Sequence, residues 1–219
     1  MIDWDTKKMV QGRYYTREDV KKICDTAKKY GFGMIFLPMS LRLYAAELLK
    51  GTGIKLGGFA GGGTFWGQET TKIKVSIATE AIINGAVVLD MQMNLGAFKD
   101  GDYDFVRRDI EAVVRAVGDK SVKVIIETPW LTDEEIVRAS KIVEDAGANS
   151  VKTSIGFGNV TTLHHVKLIR ETISEDMGIK VSGGVHTTEQ ALAFIEAGAN
   201  TIGATAAIEI IEGLKEEAD

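Results

Sequence analysis

Short apolar runs alternate with longer stretches of helical period along the chain. GMIFLP (33–38), IKLGGF (54–59), AVVLDMQ (86–92), VKVIIET (122–128), SVKTS (150–154), KVSGG (180–184) and TIGAT (201–205) read as buried strands. A short candidate at Ile2–Asp5 brings the number to eight. Helix signals fill the gaps. Thr16 is placed to cap the first long helix and Gly31 to close it. Thr132 with Glu135, and Thr187 with Gln190, have the spacing of capping boxes, in which each residue's side chain accepts from the other's backbone N–H. Those two helices stop at Gly147 and Gly198, and the second carries Ala191, Phe194 and Ile195 on one face.

Strand–helix alternation with short connections predicts parallel strands joined by right-handed crossovers. Eight such units in 219 residues predict one α/β domain over residues 1–219, a (β/α)8 TIM barrel. A doubly wound open sheet alternates in the same way and is the competing architecture. Its nucleotide-binding fingerprint is missing, since GFAGGG (58–63) lacks the G-x-G-x-x-G order directly before a helix. INGAVVLD, DAGANSVKTS and EAGANTIGAT each join a helix end, Gly-Ala and a strand, on strands four, six and eight. A repeat in every second unit favours the barrel.

The polar residues inside these runs are the unusual part. Side chains alternate faces along a strand, so Asp90, Gln92 and Asn94 share one face while Leu89, Met91 and Met93 share the other. In the next run but one, Ser150, Lys152 and Ser154 oppose Val151 and Thr153, and further on Lys180 and Ser182 fall together. Asp90, Lys152 and Lys180 therefore point into one lumen. A lysine near a strand start, as Lys180 is, often reaches solvent, and Asp90 has the position of a loop cap. Lys152 is harder to explain away, because an isolated lysine is rarely buried without a partner. Lys123 and Glu127 also alternate inward and are expected to neutralise each other as supporting residues.

Two inward lysines on neighbouring strands suit imine chemistry. An amine attacks a carbonyl only when neutral, and an ordinary lysine has a pKa of about 10.4. Desolvation and a second cation lower it. Lys152 is the expected nucleophile, Lys180 the permanent charge, and Asp90 the group that moves protons.

Composition removes other classes. Acids and bases are interspersed with a net charge of −5, so nucleic acid and anionic membrane are not expected partners. No apolar run approaches the roughly 20 residues of a membrane helix. Cys24 is the only cysteine and no signal-like N-terminus precedes it, which predicts the reducing cytoplasm. The histidines are His164, His165 and His186, and adjacent helical residues diverge, so no metal and no cofactor is expected.

At VKTSIGFG, KVSGGVHT, LDMQMNLGAFKDGDYDFVRRDI and AGANTIGAT, the chain from about Thr16 onward resembles the deoxyribose-phosphate aldolase family, class I aldolases on a (β/α)8 barrel. The resemblance implies Lys152 as imine former, Lys180 as its assistant and Asp90 as proton relay. It implies reversible cleavage of 2-deoxyribose 5-phosphate to glyceraldehyde 3-phosphate and acetaldehyde. Gly183, Gly184, Gly203, Thr205, Thr153 and Asn94 are then the expected substrate- and phosphate-binding set, and homodimers or higher homo-oligomers are expected.

Several positions depart from the family pattern. Ile155 replaces a threonine phosphate donor, Thr205-Ala206 replaces a Ser-Ser pair, and His186 stands where a basic residue usually follows Gly-Gly. FAGGGTFWGQETT is about five residues longer than the family link, and IDWDTKKM lacks its D-H-T. Cleavage of deoxyribose phosphate stays the leading expectation, and these losses open the alternative of the same imine chemistry on a changed carbonyl substrate, with Phe65, Trp66 and Gln68 shaping the pocket. The alternatives are another sugar phosphate, aldehyde or dicarbonyl on the same lysine, a silent metabolite-binding barrel, and an acid–base isomerase, which needs no lysine pair.

Overall fold

The computed structural model describes residues 1–5, 14–61, 67–156 and 160–216. Eight parallel strands pair in chain order: β1 (Ile2–Trp4), β2 (Met34–Phe36), β3 (Lys55–Ala60), β4 (Val88–Gln92), β5 (Ser121–Ile125), β6 (Ser150–Lys152), β7 (Gly178–Ser182) and β8 (Thr201–Ala204). β8 also pairs with β1, placing Asp3 opposite Gly203, so the sheet is a closed barrel rather than the open alternative. β6 and β7 end earlier than their apolar runs, at Lys152 and Ser182. The residues beyond them turn into the loops that carry the site.

Nine helices surround the strands among the described residues: α1 (Arg17–Tyr30), α2 (Arg42–Leu48), α3 (Thr71–Ile83), α4 (Leu95–Lys99), α5 (Tyr103–Val117), α6 (Asp133–Asp145), α7 (Leu163–Thr172), α8 (Thr188–Glu196) and α9 (Ala207–Glu216). Capping boxes start α6 and α8 as their spacing predicts, and Thr16 caps α1 with Asp19. Thr162 and His165 form a further box at α7, with a histidine ring where Glu or Gln is usual. Gly31 closes α1 at φ 68°, a left-handed conformation that glycine adopts without the clash a Cβ would bring.

An apolar stripe toward the barrel is clearest on α1 and α5. Val20, Ile23, Cys24 and Ala27 repeat at helical spacing along α1 and pack with Trp4, Ile35 and Leu37 over β1 and β2. On α5, Val106, Ile110, Val113 and Val117 join the main core beneath β3 to β8. One ion pair is sealed within this layer. Lys74 on α3 donates to Asp109 Oδ2 on α5 at 2.5 Å and to the Gln92 carbonyl at 3.2 Å. Thr71 Oγ1 fills Asp109 Oδ1 at 2.6 Å. Among the described residues no helix is long and apolar enough to cross a membrane.

Candidate active site

The register of β6 and β7 builds the centre of the site. Lys152 and Lys180 are direct partners across these strands, so both side chains leave the sheet into the lumen. Lys152 Nζ donates to Asp90 Oδ2 at 2.7 Å, and Lys180 Nζ donates to the same oxygen at 3.0 Å. On the other side Asp3 Oδ2 lies 2.9 Å from Lys180 Nζ and 3.3 Å from Lys123 Nζ. The ions thus alternate as Lys152, Asp90, Lys180, Asp3 and Lys123. The three residues expected to converge do so, and Asp3 joins them from the three-residue β1. Its place inside a strand candidate was the available signal. Its partners lie far along the chain, where periodicity gives no register.

Lys123 and Glu127 do not neutralise each other. Lys123 pairs with Asp3, while Glu127 lies just beyond β5 with φ 58°, the one non-glycine residue with positive φ among those described. There its carboxylate accepts from Gln92 Nε2 at 3.1 Å, Ser154 Oγ at 2.8 Å and Ile155 N at 3.1 Å. Glu127 therefore pins the turn that follows Lys152. Left-handed backbone at a non-glycine residue is strained, and such strain concentrates at functional sites.

The two lysines are pushed in opposite directions. Burial depresses the Lys152 ammonium below its ordinary pKa, and the Lys180 charge adds to that, outweighing the attraction of Asp90. Burial also works against Lys180, but Asp90 and Asp3 together raise it above its ordinary value. For Asp90, burial alone favours the neutral acid, yet Lys152, Lys180 and Lys123 hold it well below the usual carboxylate range. Asp90 Oδ1 and Asp3 Oδ1 have no hydrogen-bond partner. Above the amines, Lys180 Nζ sits 4.6 Å from the Phe36 ring centre and Lys152 Nζ 5.8 Å from that of Phe59. Those two rings lie 4.9 Å apart and shield the amines from water.

Lys152 and Lys180 open onto a cavity of about 610 Å³ at the C-terminal ends of the strands, the face on which such barrels carry their active sites. Gly183, Gly184, Gly203 and Thr205 line it, as does His186. A Cβ at Gly203 would lie 2.4 Å from Ser182 Oγ and 2.9 Å from Lys180 Cε, so only glycine leaves Lys180 its course.

Two members of the expected binding set are elsewhere. Thr153 is fully buried and ties β6 to β7: its Oγ1 donates to the Ser182 carbonyl and accepts from Ser182 N. Asn94 caps α4, its Oδ1 accepting from Ala97 N at 3.0 Å. Neither lines the cavity, because each is consumed by local backbone. Ile155 does line it, with an apolar side chain and an N–H already taken by Glu127, and Ala206 is buried. Gln68 is exposed and packs against Gly96, away from the cavity, while Phe65 and Trp66 lie outside the described residues. Besides Asp3, the cavity wall includes Phe36 and Arg42, which the strand pattern did not single out.

This geometry has close relatives. The chain matches the family model described as DeoC/LacD family aldolase over residues 6–211. A deoxyribose-phosphate aldolase of Aciduliprofundum boonei is 50% identical over 209 residues, covering 92% of this chain and 91% of the relative. One from Thermococcus gammatolerans is 46% identical over 208 residues, with 92% and 91% covered. The solved deoxyribose phosphate aldolase of Aeropyrum pernix, described as a tetramer, superposes with a TM-score of 0.85 at 27% identity, covering 99% of this chain and 90% of its own. With its closed barrel and lumenal lysine pair, the chain belongs to the DeoC/LacD family of aldolases, which are lyases.

Proposed function

We propose that this chain is a class I aldolase whose Lys152 forms an imine with 2-deoxyribose 5-phosphate, releasing glyceraldehyde 3-phosphate and acetaldehyde reversibly. The observation that carries this reading is the lysine pair, one amine depressed and the other raised, on a shared aspartate oxygen. The depressed amine is the one suited to attack, because nucleophilicity requires the neutral form.

Lys152 Nζ adds to the aldehyde carbon to give a carbinolamine, and loss of water leaves a protonated imine. That cation draws the electrons of the adjacent C–C bond. A base removes the proton of the hydroxyl beyond that bond, the bond breaks, and the phosphorylated aldehyde departs. The enamine left on Lys152 takes up a proton at carbon, and hydrolysis returns the amine and acetaldehyde. Asp90, with Oδ1 free of partners, is the group that passes these protons directly or through water. Lys180 stays charged throughout and keeps the amine depressed for the next turnover.

Phosphate binding falls to Gly183, Gly184, Gly203 and Thr205, on β7, β8 and the loops that follow them, at the side of the cavity next to the lysines. Ile155 cannot donate from its side chain, yet relatives that carry the deoxyribose-phosphate name at 43–50% identity favour that substrate over the changed one. The reading extends to cytoplasmic carbohydrate breakdown and, by analogy with the Aeropyrum pernix tetramer, to a homo-oligomer.

Borohydride reduction in the presence of acetaldehyde is expected to leave a stable adduct on Lys152, read by peptide mass spectrometry. Lys152→Met is expected to lose both the adduct and turnover, by about 10⁴-fold or more. An unmodified Lys152 in the native protein would sink the mechanism.

A further inference from the structure

Arg42 opens α2 just after β2 and lines the same cavity as Lys152, yet it is only 4% exposed. Its Nε donates to the Leu37 carbonyl at 3.2 Å, which fixes the plane of the guanidinium. Nη1 has no hydrogen-bond partner. No described carboxylate forms an ion pair with it, and burial alone bears on its protonation, pulling its pKa below the ordinary value. The nearby aspartates are engaged elsewhere: Asp3 holds Lys180 and Lys123, Asp90 holds Lys152 and Lys180, and Asp5, which also lines the cavity, has a partner of its own.

A guanidinium carries donors only, and a buried one left unpaired is destabilising, so proteins keep such a group where a partner arrives from outside. The partner has to be an acceptor and is best an anion, since the planar fork matches the oxygens of phosphate or carboxylate. The cavity's remaining anion-binding features, Gly183, Gly184 and Gly203, belong to β7, β8 and their loops. Arg42 sits across β1 from them, on the β2 side. Side-chain donors are missing at Ile155 and Ala206, so the guanidinium is a strong fixed donor on the cavity wall outside the lysine network.

We propose that Arg42 is a further anion-anchoring residue of this cavity, adding a charged donor to those glycine turns, and that it holds an oxyanion of the carbonyl substrate, a phosphate monoester or a carboxylate. It is a specificity-determining residue whose role rests on the imine reading only for the identity of the substrate. The bound anion supplies the acceptor that Nη1 lacks, and Leu37 presents the fork to it. Substrates without an anionic end leave Arg42 unpaired and bind less well.

The test compares the native enzyme with Arg42→Gln and Arg42→Lys. Inorganic phosphate and acetate serve as binding probes by calorimetry, and 2-deoxyribose 5-phosphate and unphosphorylated 2-deoxyribose as substrates. For the ion that Arg42 holds, Arg42→Gln is expected to weaken binding by about 10- to 100-fold, with Arg42→Lys in between. A loss confined to phosphate, with KM for the phosphorylated sugar raised and a smaller change for the free sugar, identifies a phosphate anchor. A loss confined to acetate identifies a carboxylate anchor.

Unchanged affinity for both ions in Arg42→Gln overturns the proposal. So does an equal loss with both sugars together with a lowered unfolding temperature, which marks a structural arginine. If Arg42→Gln does not fold, Arg42→Lys carries the comparison, because it keeps the charge and loses the fork. Borohydride trapping on the native protein separates the two readings: a missing Lys152 adduct defeats the imine mechanism and leaves the ion-binding result standing.

Discussion

Outside the barrel wall Lys74 and Asp109 pair one to one, whereas inside it three lysines share two aspartates. Both clusters are almost wholly removed from water. In the helix layer both Asp109 oxygens are filled, by Thr71 and Lys74, and the ammonium has a second acceptor in Gln92 O. In the lumen both aspartates bind through Oδ2 and leave Oδ1 bare. A matched, satisfied pair holds two helices in place and has nothing left to offer a ligand. An unmatched cluster with an excess cation and free acceptors is less stable as built, and it is ready to exchange protons and take an electrophile.

The sharpest way to break this contrast is to unpair the outer cluster. Lys74→Met strands the Asp109 carboxylate and is expected to destabilise the fold by about 3–5 kcal/mol in denaturant unfolding. Turnover by the protein that remains folded stays within about twofold, since distant changes act nearly independently. Replacing both partners with apolar residues should restore most of the loss. A large drop in kcat without a drop in stability would erase the distinction between the clusters.

The inner cluster should behave in the reverse way. Lys180→Met removes the charge that helps depress Lys152 and is expected to cut kcat/KM near pH 7 by about 100-fold, with a smaller loss of stability than in Lys74→Met, because Asp90 keeps Lys152 and Asp3 keeps Lys123. The sign can be followed by pH. With its folded pKa lowered from the ordinary 10.5, Lys152 becomes neutral earlier, so kcat/KM rises with pH on a limb centred below that value. Losing Lys180 moves the limb upward. For stability, Lys180 is raised, so its contribution is complete below the ordinary lysine pKa and fades only as pH climbs through the folded value. A limb that does not move in Lys180→Met would show that burial alone sets the amine.

Asp3→Asn is the mildest of the three. It withdraws one of two counter-charges from Lys180 and the ion-pair partner of Lys123, and a loss in kcat/KM of about tenfold is expected, since a nearby opposite charge shifts a pKa by one unit or more. No change in kcat or in its pH profile would confine the working site to Lys152, Asp90 and Lys180.

Much of this arrangement was legible in the chain. Eight apolar runs, two spaced capping boxes and the alternation of Asp90, Lys152 and Lys180 gave the barrel and the centre of its site. Period-two reasoning assigns a face, and it placed Thr153 opposite Lys152, which is where the structure has it, away from the cavity. What alternation cannot give is the partner across the ring. Lys123 looked inward toward Glu127 by sequence proximity, but its partner Asp3 is 120 residues away. Arg42 was hidden for a different reason: it stands at a helix start, where an arginine ordinarily points to solvent.

The position of Asp3 also has a kinetic meaning. β1 is held on one side by β2 and on the other by β8, so the ring is sealed by a contact between the first strand and the last. Contacts of such long sequence separation close late, after the local helix and strand units have formed. A refolding chain therefore gains its secondary structure before Asp3 reaches Lys180 and Lys123. Charge balance in the lumen is then expected to be reached only when β1 closes against β8.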